Sequence, residues 1–200
     1  MQHYFIETEH KDSDYFEFSS VVAGEKLTFR SCDNIFSKDE VDFGSRTLID
    51  TVVEQVKPSG YGLDFGCGYG VVGITIIKKF GVNIDFADIN GTAIELTRTN
   101  LLKNGIKSAG DLIKTNGFEN ITKNDYDFIL TNPPIKTGKK LLFEIMQGCF
   151  NALKSGGTLT LVIRKDHGED SLKKHLVSLF GNCEILKRNK GFYILHCKKQ

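Results

Sequence analysis

Short apolar runs of strand length take turns with longer segments of helical spacing along this chain. Phe16 to Val22 and Lys26 to Phe29, joined around Ala23-Gly24-Glu25, read as a front hairpin. Ser45 to Val56 has the pattern of a helix and is stopped by Pro58-Ser59-Gly60. A strand over Tyr61 to Phe65 runs into a glycine loop, and a helix over about Val71 to Phe80 runs out of it. Ile84 to Asn90 is a second strand, followed by a helix over about Thr92 to Asn104. Ala109 to Lys114 is a weaker strand. The run Tyr126-Asp127-Phe128-Ile129-Leu130 reads as a buried one. A helix over about Lys139 to Leu153, a strand over Thr158 to Arg164 and a helix over Asp170 to Phe180 come next. Cys183 to Lys187 and Phe192 to Cys197 close the chain as a hairpin around Asn189-Lys190-Gly191. Repeated strand-helix units predict an α/β fold with a mostly parallel sheet and ligands at the carboxyl ends of its strands.

Composition narrows this little. Two hundred residues suit one domain with a substantial core. A net charge of +1 gives no global pull toward nucleic acid, so any such contact must come from local patches. The five cysteines, Cys32, Cys67, Cys149, Cys183 and Cys197, are odd in number and lack a C-x-x-C pair. That predicts reduced thiols, a cytoplasmic setting and no metal site. The first ten residues lack the apolar segment of a signal peptide, no run approaches transmembrane length, and there are no repeats. His3, His10, His175 and His196 show no ligand spacing.

The chemistry concentrates at three strand ends. Asn132-Pro133-Pro134-Ile135 follows the Tyr126 strand. Two prolines cannot continue a ladder, and Pro133 keeps Asn132 out of the helical region. The result is a stiff corner that can grip a planar NH2 group, with the Asn oxygen taking one hydrogen and a backbone carbonyl the other. A rigid turn with a self-bonded Asn is the alternative. Leu63-Asp64-Phe65-Gly66-Cys67-Gly68-Tyr69-Gly70-Val71-Val72-Gly73 contains the spacing Gly68-x-Gly70-x-x-Gly73 of dinucleotide sites. Asp64, however, would repel a pyrophosphate and suit a ligand carrying ammonium and sulfonium, as S-adenosylmethionine does. A purely structural turn is the other reading. Asp88 ends the next strand, where an acid accepts from both ribose hydroxyls. Asp88 or Asn90 could instead cap the following helix.

With these motifs the chain resembles the class I S-adenosylmethionine-dependent methyltransferases, specifically the methyltransferase small domain family. Its members include ribosomal RNA guanine-N2 methyltransferases. The resemblance runs from about Asn34 to the C-terminus. It rests on Asp64-x-Gly66-Cys67-Gly68-x-Gly70, Asp88, Asn132-Pro133-Pro134-Ile135 and the upstream Phe36-Ser37-x-x-x-Val41-Asp42-x-Gly44-Ser45. It implies a Rossmann-like fold: a seven-stranded, mostly parallel sheet with an antiparallel last strand and an N-terminal β-hairpin extension. The expected division is residues 1–44 as extension, packed on the core, and 45–200 as the methyltransferase domain. Cofactor contacts are expected from Ser45, Asp64, Gly66, Cys67, Gly68, Gly70, Asp88, Ile89, Asn116, Gly117, Phe118 and Asn132, with Asn132, Pro133 and Pro134 catalytic. The family usually has Asp where this chain has Asn116. An amide there can still accept from an adenine amine and donate to the ring. Ser45 reads equally as a helix N-cap. Cys67 has no basic neighbours in sequence and is not expected to be reactive.

Ile135, Lys136, Lys139, Arg164 and Lys165 are candidate substrate contacts. Lys136, Lys139, Lys140, Arg164, Lys165 and His167 could hold RNA phosphates, or could simply be a solvated lysine-rich surface. Lys187 to Lys190 form a second basic cluster, expected nearer the rim. The resemblance therefore implies methylation of a guanine N2 amine in ribosomal RNA, small subunit favoured, on naked RNA or an assembled subunit. Two departures leave other substrates open. Ile135 stands where large-substrate members often have an aromatic residue, and the extra N-terminal domain of many ribosomal members is not expected. A protein glutamine amide or a small molecule would use the same corner. An NAD-binding oxidoreductase would leave both the corner and Asp64 unexplained.

Overall fold

A computed structural model describes residues 15–32, 35, 40–133 and 138–200. Pro134, Ile135 and Lys136, with the upstream Phe36 and Ser37, lie outside it. The first two strands, β1 (Tyr15–Val22) and β2 (Glu25–Cys32), form an antiparallel hairpin. Its turn residues Ala23 and Gly24 both have positive φ, the geometry that matches strand twist in a two-residue turn. Then follow α1 (Phe43–Thr51), which ends in a π-type turn, β3 (Tyr61–Phe65), α2 (Val71–Phe80), β4 (Asn83–Asp88) and α3 (Gly91–Lys103). After these come β5 (Leu112–Lys114), β6 (Tyr126–Thr131), α4 (Lys139–Ala152), β7 (Leu153–Arg164), α5 (Glu169–Phe180), β8 (Glu184–Asn189) and β9 (Phe192–Lys198).

The seven strands β3 to β9 form one sheet in the order β5-β4-β3-β6-β7-β9-β8. Neighbours are parallel except at β9, which is antiparallel to both β7 and β8. The last strand in sequence is therefore the one reversed strand, as expected. Side chains alternate between two cores. Ile84, Phe86, Phe128, Leu130 and Ile194 join α1, α2, α3 and the hairpin on one face. Leu63, Ile129, Leu159, Leu161 and Leu195 join α4 and α5 on the other. The hairpin belongs to the first core, because Val22, Leu27 and Phe29 are buried in it.

Close packing demands glycine at two sheet contacts. A Cβ on Gly62 would come within 2.2 Å of Phe128, and one on Gly73 within 2.3 Å of Phe86. Several expected bounds shift: β2 runs on to Cys32, β8 runs on to Asn189, and α1 begins at Phe43. Strand β7 begins at Leu153, not Thr158, and passes through Gly156 and Gly157 beside an irregularity in its pairing with β6. Strand β5 is confined to Leu112–Lys114; ahead of it Gly110 packs closely against Asp85 of β4, whose Oδ1 takes the Asp111 amide.

Candidate active site

The carboxyl ends of β3, β4, β5 and β6 gather the expected residues. Gly66, Gly68 and Gly70 have φ of +71°, +57° and +89°, which only glycine adopts readily. A Cβ on Gly66 or Gly68 would meet nothing within 4 Å, so this side of the loop faces open space. Its inner side is fully tied down. The amides of Gly66 and Cys67 donate to the Ala87 carbonyl (2.8 and 3.1 Å), and the Gly68 amide donates to Asp88 Oδ2 (2.9 Å). From α3, Thr97 Oγ1 donates to the Gly68 carbonyl (3.0 Å) and Asn100 Nδ2 to the Tyr69 carbonyl (2.8 Å).

Asp64 lies beneath this loop, almost fully buried, and Oδ2 accepts from the Gly73 amide at 2.8 Å. Burial pushes its carboxyl up to about 7, aided by the nearby Asp88 and opposed by the Gly73 N–H. A cation brought close would draw the group back toward its charged form. Asp88 is raised too, by burial, against backbone N–H bonds from Asn90, Gly68 and Ile89. Its Oδ1 accepts from the Asn90 amide (2.9 Å). The cap of α3 is Asn90, whose Oδ1 accepts from the Thr92 amide. Cys67 is buried with its sulfur 3.6 Å from Thr97 Oγ1, and burial pushes its thiol well up.

Beyond β5, Asn116 is exposed and donates through Nδ2 to Glu119 Oε1 at 2.9 Å. Its amide oxygen is then the end left to accept. Gly117 follows with φ +57°. Phe118 stacks on Phe65 at 4.6 Å and lies so close to Gly148 of α4 that a Cβ there would come within 2.1 Å. Its ring is thus taken up by the core on the α4 side.

Asn132 is half-buried at the end of β6, with Pro133 buried after it. Its Nδ2 donates to Ser45 Oγ at 3.0 Å, with a longer contact to Asp42 Oδ1 at 3.5 Å. Ser45 is not the N-cap of α1. Asp42 is, accepting the Ser45 amide at 2.9 Å. Both residues suit a cap, three positions apart, and spacing alone does not choose between them. With its nitrogen committed to α1, Asn132 presents its amide oxygen as the remaining acceptor.

Lys139 is exposed at the start of α4, its Cε 3.7 Å from where a Cβ on Gly168 would lie. Arg164 ends β7 and Lys165 follows it, both exposed. The second basic cluster divides, against expectation. Lys187 pairs with Glu54 at 3.4 Å, whereas Lys190 lies over the Phe43 ring and its turn meets Lys165. Among the described residues, the expected ones follow the carboxyl ends of β3 to β7, with Ser45 bonded to Asn132. Sequence reading passed over Thr97 and Asn100, which hold the loop from behind. Their signal was a row of polar residues on one face of α3, namely Thr97, Asn100 and Asn104. Among the described residues no group of three His, Cys, Asp or Glu could hold a metal ion, and no helix is long and apolar enough to cross a membrane.

The model of the methyltransferase small domain family matches residues 26–196. The chain belongs to that family. It is accordingly an S-adenosylmethionine-dependent methyltransferase, and the glycine cradle and acidic strand ends fit that cofactor. The Bacillus subtilis protein YbxB, itself uncharacterized, is 36% identical over 99% of this chain and 98% of its own length. A ribosomal RNA small subunit methyltransferase C from Vibrio parahaemolyticus is 33% identical over 93% of this chain. The chain spans only 54% of that relative. A solved T. thermophilus 16S rRNA N2 methyltransferase, in complex with AdoMet and guanosine, superposes with a TM-score of 0.83 at 22% identity. It is matched over 93% of this chain and 51% of its own.

Proposed function

We propose that this methyltransferase modifies the exocyclic N2 amine of a guanine in ribosomal RNA, with the small subunit as the favoured target. The observation that carries the reading is the orientation of Asn132. Ser45 and Asp42 hold its NH2 end, so its oxygen is the end offered to a substrate amine. A guanine amine is a weak nucleophile, because its lone pair is delocalised into the ring. Asn132 Oδ1 and the Pro133 carbonyl accept its two hydrogens, which favours a pyramidal nitrogen and frees the lone pair. The same two oxygens stabilise the positive charge that develops on nitrogen. S-adenosylmethionine, when bound, supplies an electrophilic methyl group. On this chain Gly66, Gly68 and Gly70 would leave room for it, Asp88 would accept from its ribose hydroxyls, and Asp64 would answer its cationic end. Asn116 would accept from its adenine amine, beside Ile89 and Gly117. The proton leaves nitrogen after transfer, so no strong base is needed beforehand. A helical guanine must leave its stack to reach the corner. Relatives named as small-subunit methyltransferases support this choice of substrate, and a cytoplasmic setting follows from it.

The test is transfer of labelled methyl from S-adenosylmethionine to naked ribosomal RNA, assembled subunits, protein and small metabolites. N2-methylguanine in digests of small-subunit RNA is the expected product. Label in protein glutamine or in metabolites, with RNA blank, would move the same chemistry to another planar amine.

A further inference from the structure

Beside the Asn132 corner the structure builds a cationic shoulder that the sequence had scattered. Arg164 ends β7 and pairs in register with Phe192, the first residue of β9. The next residue, Lys165, donates its amide to the Gly191 carbonyl at 2.9 Å, so the tip of the last hairpin closes onto the end of β7. Phe192 reaches over the first turn of α1. A Cβ on Gly44 would lie 3.0 Å from its ring, and its centroid is 5.5 Å from that of Phe43. Both rings carry cations: Arg164 Cζ lies 5.6 Å from the centre of Phe192, and Lys190 Nζ 5.3 Å from that of Phe43. Cation–π contacts of this kind hold long basic side chains in place. Asp166 opposes them, taking Arg164 through Nε (3.1 Å) and Nη2 (3.0 Å). The α1 turn under Phe192 is also the turn that holds Asn132 through Ser45.

Lys190 adds a second observation. It sits at φ +46° in the hairpin turn, a conformation that asparagine or glycine adopts more easily. The turn would be better served by another residue, yet it carries a cation toward this edge. In a chain of net charge +1, two cations held on paired rings, with the exposed Lys165 beside them in the chain, are a local field, not a consequence of composition.

We infer that Arg164 and Lys190, set on the Phe43–Phe192 ring pair, together with the exposed Lys165 next in the chain, bind the phosphates of the RNA strand flanking the target base. This rests on RNA being the substrate. The shoulder fixes the strand relative to the turn that orients Asn132, while the corner itself reads only the amine. Asp166 tempers it by holding Arg164 until a phosphate competes for the guanidinium.

Binding of a short fluorescein-labelled single-stranded RNA is measured by anisotropy over a salt series for the wild type, Lys190→Asn, Lys165→Gln and Asp166→Asn. Thermal stability and methyl transfer to ribosomal RNA are followed in parallel. Lys190→Asn and Lys165→Gln are each expected to weaken binding several-fold and reduce the slope of log K against log salt by about 1. Lys190→Asn should keep or raise the melting temperature, because asparagine suits its φ, so a fall in affinity is not a folding defect. Asp166→Asn should tighten binding. Unchanged affinity and slope in both lysine variants would overturn the shoulder even if the wild type methylates RNA. Conversely, slopes that shift as expected with no methyl transferred to any RNA would keep the shoulder as a nucleic-acid contact and remove RNA as the methylated substrate.

Discussion

Replacing Asn132 with alanine removes one acceptor aimed at the substrate amine and leaves the glycine loop intact. Turnover is expected to fall by on the order of a hundredfold to a thousandfold, as when one preorganised hydrogen-bonding group is lost from a reacting centre. Calorimetric affinity for S-adenosylmethionine should stay within a few-fold, and a large loss there would make Asn132 a cofactor ligand first. Ser45→Ala separates orientation from contact, because Ser45 bonds Asn132 through its hydroxyl. Its kcat should drop by about one to two orders of magnitude, reflecting a misplaced rather than missing group. An unchanged kcat would show that Asp42 alone holds the amide. Asp64 was legible as a carboxylate at a strand end, and its burial under the loop was not. A sequence gives the type of residue and not the solvent around it, and it is burial that carries this group up to about 7.

Helix α3 is the element on which the loop and the hairpin both depend. Asn100 is fully buried and accepts the Arg30 amide at 2.7 Å while donating to the carbonyls of Arg30 and Tyr69. Asn104, one turn on, does the same for Thr28, accepting at 3.0 Å and donating at 2.8 Å. Two side-chain amides thus stand in for a neighbouring strand along the edge of β2. Asn100→Ala leaves these backbone groups short of partners and should cost about 3 kcal/mol. In a chain of this size that lowers the melting temperature by roughly 6–12 °C. A drop of a degree or two would mean that water replaces the amide readily. Elements such as Tyr61–Phe65 and Val71–Phe80 were legible to the residue, because an apolar run or a helical stripe met an unambiguous glycine boundary. The early start of β7 was not, since Lys154-Ser155-Gly156-Gly157 carries no apolar pattern. Those residues are held in place by the chain's far end, where Gly156 and Lys199 exchange backbone bonds with Lys199 and Gly157.

Across the whole molecule, two buried carboxylates on opposite faces of the sheet give stability opposite dependences on pH. Asp64, at the carboxyl end, is raised by burial, so its contribution is full below the usual carboxylate value near 4 and is lost as pH rises toward about 7. Asp85 lies one rung away, paired with Leu63 where Asp64 pairs with Phe86, so its side chain is on the other face. Burial alone would raise it, but bonds from Lys123, Tyr126, Tyr61 and the Asp111 amide outweigh that and hold it below its ordinary range. Its contribution is present above that range and is lost as pH falls through its lowered value. Denaturant midpoints across pH 3 to 8 test both signs, at about unit intervals. Relative to Asp64→Asn, the wild type should lose stability between about pH 4 and 7. Relative to Asp85→Asn, it should hold an advantage of about 2 kcal/mol at neutral pH that fades in acid, Lys123 being partly screened by solvent. Parallel curves for either pair would refute the corresponding assignment.

The ring of donors around Asp85 also bears on how the chain assembles. Its partners come from residues 61, 111, 123 and 126, so no single strand-helix unit can complete it. An intermediate that joined β3 to β4 before β6 arrived would carry a carboxylate stripped of water and short of the Tyr126 hydroxyl. Such a half-built sheet is disfavoured relative to both the open chain and the finished one. The charge that steadies the native sheet thereby sharpens its cooperativity. Substitutions at Asp85 should therefore act mainly on the rate of unfolding, with a low φ-value marking a contact formed after the transition state.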